Sequence, residues 1–540
     1  MNEKIINANV VDVDAGGTYT ATVEVSGGRI RKVERQTGTV HDEDALDLEG
    51  GYLSPGFIDT HSHLIMFSSF RRQLNCSADN VGSIEDIVAQ FKARKDELLT
   101  DGWLQGYGYS EYDLLEQRHP DRFDLDRISG DVPIYIKHSS LHMGAVNTKA
   151  LGLMGVALDD PDPKGGRYGR DEDGLLNGVL YEFPAMEKVK AVVPEIDPGT
   201  LADDIEAGVD EYLARGITNS TEMGVGILAG MDDYRAMLKF LERPQKMRTR
   251  WAVLYQLLEQ EGISADELKG RLEDLGGGFS TLEGAKFFSD GSIQLHTASI
   301  RGEYHDGTPS DDLQLEQAEL EKLFGHFQRL GYPLITHANG DFAARTVIEA
   351  YKNTEGSKTA EAMNRVEHLQ TVNREDIREM VDNGIGGSFF INHVYHFGDI
   401  HKKYFLGPER VQNLDPVKWA EDAGMTFTIH SDCPVTDISP LASIRFAVER
   451  KTRKGDVLGA HQKLTRLEAY RKMTLDAARL NGTEDEEGSV EAGKYADFVV
   501  LNDNPLGYDV ELTDDLVEMT IVNGKIVYGS RSGDQGAPRS

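Results

Sequence analysis

Two histidines, His61 and His63, stand two residues apart at the end of the run Phe57-Ile58-Asp59-Thr60. In an extended strand, side chains at i and i+2 point to the same side, so both imidazoles can aim at one point. Imidazole is a common ligand of zinc and similar ions. The pair alone is a weak signal, because two histidines at a polar strand end look the same. Other chemistry-bearing residues interrupt or close similar runs. Lys286 interrupts Gly284-Ala285-Lys286-Phe287-Phe288, where a buried ammonium needs a partner or a chemical change that removes its charge. His337 closes Leu334-Ile335-Thr336-His337, and His368 closes Val366-Glu367-His368. Asp432 closes Thr428-Ile429-His430-Ser431-Asp432. Five apolar segments that all deliver potential ligands point to a metal centre.

Such a centre needs elements that hold it. Apolar runs at 57–63, 217–222, 250–255, 284–290, 333–337, 365–368, 386–390 and 426–432 read as buried strands. Helical patterns lie between most of them. Ser83 with Asp86 opens a helix whose Ile84, Ile87, Val88 and Phe91 share a face. Ser264 with Glu267 and Thr465 with Glu468 form capping boxes. Eight strands interleaved with helices predict an α/β fold, a (β/α)8 barrel of the TIM type. An open doubly wound sheet has the same periodicity and stays open at this stage. Both ends carry hairpin signatures, Gly27-Gly28 and Asn523-Gly524. A small β-sandwich domain built from both termini, 1–54 and 481–530, is therefore expected. The barrel then spans 55–480, with a large insertion at about 68–200 after its first strand, and 531–540 reads as a flexible tail.

Composition excludes several classes. The 540 residues carry 57 basic and 91 acidic side chains, a formal charge of −34. Nucleic acid and anionic membranes are poor partners for such a surface, and hydration in a salt-adapted organism is one reason for it. No run of about 18 apolar residues is present, so no transmembrane helix is expected. With no targeting segment and two cysteines, Cys76 and Cys433, the chain reads as cytoplasmic.

The set Pro55-Gly56-Phe57-Ile58-Asp59-Thr60-His61-Ser62-His63, Lys286-Phe287-Phe288-Ser289-Asp290-Gly291-Ser292, Thr336-His337-Ala338-Asn339-Gly340-Asp341, Val366-Glu367-His368 and Ser431-Asp432-Cys433-Pro434-Val435 resembles the urease-related, metal-dependent amidohydrolase superfamily. More narrowly it resembles the amidohydrolase family 3 branch, which includes N-substituted formamide deformylases. The resemblance implies a hydrolase of non-peptide C–N bonds in N-acyl, N-formyl or cyclic amides, with one or two divalent ions, zinc foremost. It implies His61 and His63 as ligands of the buried metal, and His337 and His368 as ligands of a second. Lys286 falls where such enzymes carry a CO2-derived carbamate bridging two metals; an ordinary lysine paired with Asp290 or Asp432 is the alternative. Asp432 matches the aspartate that contacts metal and shuttles the proton as general base and acid. A small-molecule amide and a second copy of the chain, as a homodimer, are the partners expected.

Substrate candidates are His142, Glu111, Arg301, His393 and His396. By the resemblance, His142 corresponds to a histidine at the active-site mouth; the alternative is a histidine held within its loop. Glu111 lies in a glycine-rich stretch that lines a cleft in this reading. Arg301 suits bidentate binding of a substrate carboxylate or a structural salt bridge. His393 and His396 fall just past the seventh strand, in an aromatic-rich segment that departs from the branch's usual pattern. Two competing functions stand beside the hydrolase: a heterocycle deaminase, disfavoured by Lys286, and a catalytically silent oligomeric scaffold, disfavoured by the complete histidine set.

Overall fold

The computed structural model describes residues 4–140, 143–310, 313–354 and 363–529. The chain divides into two compact units, one made of Met1–Ile65 with Ile205–Ser540 and the other of Met66–Asp204. Among the described residues no helix is long and apolar enough to cross a membrane.

The first unit holds a mixed α/β fold around eight parallel strands. They are β1 (Phe57–Ser62), β2 (Ile217–Val225), β3 (Arg248–Leu254), β4 (Ser280–Phe288), β5 (Leu334–Ala338), β6 (Arg365–His368), β7 (Gly386–Phe389) and β8 (Phe427–Ile429). Each pairs in parallel with the next, so spatial order follows chain order. This is the order of a barrel, not of a doubly wound sheet, in which strand order reverses at a switch point. The sheet is nearly closed: Thr60 Oγ1 of β1 lies 2.7 Å from Thr428 Oγ1 of β8. The strands read as continuous buried runs because both faces are covered; every residue of β1, β2, β6, β7 and β8 is buried.

Helix starts follow local chemistry. Ser264 and Thr465 cap the helices Ala265–Leu275 and Arg466–Lys472 through complete capping boxes. Each box satisfies two of the backbone donors left free in a first turn.

Strands from both ends of the chain join one eight-stranded sheet in the same unit. Its hairpin Val517–Val522 to Lys525–Tyr528 turns at Asn523 and Gly524. Both turn residues have positive φ, 53° and 72°, the conformation a type I′ turn demands. Arg248 at the start of β3 holds this sheet to the barrel through Asp497, Nε to Oδ2 at 2.6 Å.

The second unit is built on six strands: Arg167–Arg170, Leu176–Tyr181, Met143–Val146, Ile134–His138, Leu104–Tyr109 and Leu74–Asn75, in spatial order. Side-chain alternation splits its core in two. Leu104, Ile134 and Ile136 pack with the helix Ile84–Ala93, whose Ile84, Ile87, Val88 and Phe91 are buried. Trp103 and Tyr135 pack on the opposite face with Leu151, Leu180 and Met186.

Candidate metal centre

β1 turns His61 and His63 to one point, and the chain after β8 brings Asp432 to meet them. Asp432 Oδ1 lies 3.2 Å from His61 Nε2 and 3.2 Å from His63 Nε2. The other nitrogen of each ring faces a buried carboxylate. His61 Nδ1 is 2.5 Å from Glu367 Oε2, and His63 Nδ1 is 3.4 Å from Glu222 Oε1. Glu222 is held in turn by the Ile65 N–H, which donates to its Oε2 at 2.7 Å.

His368 packs beside this group, its ring 4.7 Å from that of His61 and 4.5 Å from that of His337. His337 ends inside β5, with Nε2 3.0 Å from the Gly291 carbonyl and 3.4 Å from Asp290 Oδ1. Asp290 accepts backbone N–H groups from Ser299, Asn339 and Gly340. His368 and Asp432 carry positive φ, 73° and 55°. The left-handed region is costly for such residues and clusters at functional sites.

Electrostatics separate the rings. Burial disfavours charge on His63, but the carboxylates of Asp432 and Glu222 beside it outweigh this and push the ring up to about 9. For His337, burial with the nearby Lys286 charge brings the ring down to about 3. Burial also lowers His368 far below the ordinary histidine value. For Asp432, burial favours the neutral acid, yet the adjoining His61 and His63 rings hold it well below the usual carboxylate range.

Lys286 lies in β4, 1% exposed. Among the described residues its Nζ meets neither a carboxylate nor a hydrogen-bond acceptor; the Phe288 ring is 5.3 Å away. Burial pushes its ammonium down to about 8, against the opposing pull of Glu367 and Asp432. Asp290, one partner considered for it, is occupied by backbone donors instead.

These donors suit a divalent cation. A neutral His61 that donates its Nδ1–H to Glu367 presents a lone pair at Nε2. That lone pair faces Asp432 Oδ1, another acceptor, and neither atom is hydrogen-bonded. Two buried acceptors in contact are stabilised by a cation held by both. His61, His63 and Asp432 place ligand atoms within 4.8 Å of one another, as do His61, His368 and His430.

Three participants escaped the sequence reading: Glu222, Glu367 and His430. Each is a polar residue within an apolar strand run, the signal that singled out Lys286. Glu367 also pairs with Arg365, Oε1 to Nε at 2.7 Å, and Arg365 reaches Glu283 at 2.8 Å. Arg250 binds Glu283 as well, so a buried chain of alternating charge runs from β3 to His61.

The substrate candidates are dispersed. His393 lies near the centre, with Nε2 3.0 Å from Gln370 Nε2 and its ring 4.2 Å from Phe390, which in turn is 5.3 Å from His430. His396 meets Arg453 and Phe446. Arg301 is 2.9 Å from Asp376, the structural pairing left open by sequence. Glu111 belongs to the second unit, where it lies 2.9 Å from His138 and 3.7 Å from His119. His142 falls outside the described residues.

A nearly closed parallel barrel with clustered histidines and an aspartate defines a class that the comparisons make specific. The profile of the amidohydrolase family (Amidohydro_3) matches residues 44–528, and the chain belongs to that family. It is 27% identical over 537 residues to the N-substituted formamide deformylase of Arthrobacter pascens, covering 97% of this chain and 98% of that one. It is 27% identical to the protein LONG AFTER FAR-RED 3 of Arabidopsis thaliana, with coverages of 97% and 91%. In fold it is similar to an uncharacterized metal-dependent hydrolase of Pyrococcus horikoshii OT3. That likeness has a TM-score of 0.73 at 22% identity, over 94% of this chain and 98% of that one.

Proposed function

We propose that this chain hydrolyses a non-peptide C–N bond in a small-molecule amide at a divalent metal centre, zinc foremost. His61, His63 and Asp432 hold the first ion, and His337 and His368 hold a second where two are bound. The observation that carries this reading is the unbonded pair His61 Nε2 and Asp432 Oδ1 at 3.2 Å. The N-substituted formamide deformylase among the relatives favours N-formyl or N-acyl substrates.

An ion bound there supplies Lewis acidity toward the amide carbonyl and acidifies water to a pKa of about 7. The chain's own groups do the rest. Asp432, held ionised by its histidine neighbours, accepts the proton of the attacking water and returns it to the leaving nitrogen. Glu367 and Glu222 keep the Nδ1 protons of His61 and His63, which fixes each ring's tautomer and leaves both Nε2 atoms as ligands. Lys286 becomes a carbamate: its neutral amine adds CO2 and releases a proton, replacing an unpartnered buried ammonium with an anionic pair of oxygens. Burial favours the neutral amine, which is the form that reacts. In domain terms, the terminal strands, which form one eight-stranded sheet, stand where a β-sandwich was expected, and about 68–200 is read as the insertion.

The test is hydrolysis by zinc-supplemented protein of a panel of N-substituted formamides, N-acyl amino acids and cyclic amides. Turnover of at least one class is expected, with Asp432→Asn reducing it by about 10²–10⁴-fold. No turnover across the panel would overturn the proposal.

A further inference from the structure

The second unit holds a cavity of about 420 Å³, within the roughly 300–1,000 Å³ range of small-molecule sites. All of its lining residues fall between Ser69 and Thr200, so no side chain of the candidate metal centre takes part. Two glutamines lie at its floor. Gln105 belongs to the strand Leu104–Tyr109, and Gln73 directly precedes the paired strand Leu74–Asn75. Lys137 Nζ donates to Gln73 Oε1 at 2.8 Å and to Gln105 Oε1 at 3.1 Å. An ammonium only donates, so it turns both carboxamide oxygens toward itself. Lys137 does not line the cavity. The polar ends left to the cavity are therefore the two Nε2 amides, and among the described residues neither has a partner. Arg72 also lines the cavity. Its Nε and Nη2 engage Asp204 at 2.9 and 2.7 Å, which leaves the Nη1 donors over.

The opposite charge stands at the opening. Asp101 and Glu195 line the cavity and are exposed. Among the described residues neither carboxylate has an ion pair or a hydrogen bond. Asp101 is held in a turn closed by reciprocal backbone bonds between Thr100 and Trp103, at 3.0 and 2.9 Å. Leu98, Trp103 and Ile196 supply apolar wall. We infer that this cavity binds a free α-amino acid with an apolar side chain. The carboxylate takes the amides of Gln73 and Gln105 with Arg72, and the ammonium meets Asp101 and Glu195. A simple anion would face the two carboxylates at the opening, and a simple cation would leave the donors at the floor unanswered. A zwitterion answers both ends, and hydrogen bonds to an ionised group are the stronger kind. Lys137 adds to this from behind, because donating to an amide oxygen polarises the amide and strengthens its N–H as a donor.

The test is isothermal titration calorimetry of the full chain with L-leucine and L-phenylalanine, and with the amide and the deaminated acid of each. Saturable binding of at least one amino acid at millimolar concentration is expected. Its amide, which lacks the carboxylate, and its deaminated acid, which lacks the ammonium, should each bind about tenfold or more weakly. Gln105→Glu keeps an oxygen for Lys137 and replaces the donor nitrogen by an acceptor. It should weaken binding by about tenfold or more without lowering the melting temperature; Gln73→Glu takes its place if that variant does not fold. Glu195→Gln should weaken binding by about two- to fivefold, as for an exposed charge. Chelator-treated protein should bind as well as the zinc-supplemented protein. Absence of binding by both amino acids would overturn the inference, as would equal affinity for an amino acid and its amide or deaminated acid. Unchanged affinity in the folded glutamate variant, or binding lost on chelation, would place the ligand elsewhere and overturn it too. None of these results bears on turnover at the metal centre, which is tested by the amide panel.

Discussion

The Nδ1 of His61 lies 2.5 Å from Oε2 of Glu367, and neither side chain has exposed surface. The contact joins a candidate metal ligand to the buried charge chain of Arg365, Glu283 and Arg250. Orientation of the ligand and stability of the barrel are therefore coupled through one carboxylate. Glu367→Ala should weaken zinc retention by about 10–100-fold in competition with a chelator. Unchanged retention would show that the carboxylate does not orient His61.

Arg365 is 1% exposed and pairs with both Glu283 and Glu367. Removing one partner of a buried ionic group leaves an uncompensated charge, which costs about 3–5 kcal/mol. Arg365→Met should lower the denaturation midpoint accordingly, whereas Arg345→Met, on a partly exposed pair with Asp376, should lower it far less. Equal losses would contradict the ranking.

Eight strand positions were legible because barrel strands buried on both faces leave continuous apolar runs. The proposed ligand residues stood out as polar breaks or ends in those runs. Strand starts were less legible. β4 begins at Ser280 instead of residue 284, because Glu283 is buried only through Arg250 and Arg365, partners distant in sequence. The same reason hid Glu222, Glu367 and His430. Each acts through a ring brought to it by another strand, and no local spacing records that meeting. His368 also departs from strand alternation at its φ of 73°, so its direction could not be read from period two.

Lys137 in the second unit bonds only carboxamide oxygens, Gln73 at 2.8 Å and Gln105 at 3.1 Å. Burial, with the charge of Lys190, pushes it down to about 7, while an unfolded lysine titrates at about 10.4. Between these values the unfolded chain holds more protons, so stability rises with pH. Below about 7 both states are protonated and the penalty is full and constant. Lys137→Met should therefore be more stable than the parent near pH 7, and the advantage should shrink toward pH 10. Melting curves of both proteins across that range check this; a pH-independent difference would contradict it.

Cys76 and Cys433 are both 1% exposed, and burial pushes the Cys76 thiol up to about 12. Only the thiolate reacts readily. Neither should label with an aromatic disulfide reagent in the native protein at neutral pH, and both should label after denaturation. Rapid native labelling would show that the region opens.

Metal content is the measurement on which a centre of His61, His63 and Asp432 stands or falls. Elemental analysis of purified, zinc-supplemented and dialysed protein should find one to two divalent ions per chain. The His61→Ala/His63→Ala double variant, folded by circular dichroism, should retain a lower stoichiometry. Wild-type protein with only trace metal, or a double variant with the wild-type stoichiometry, would contradict it.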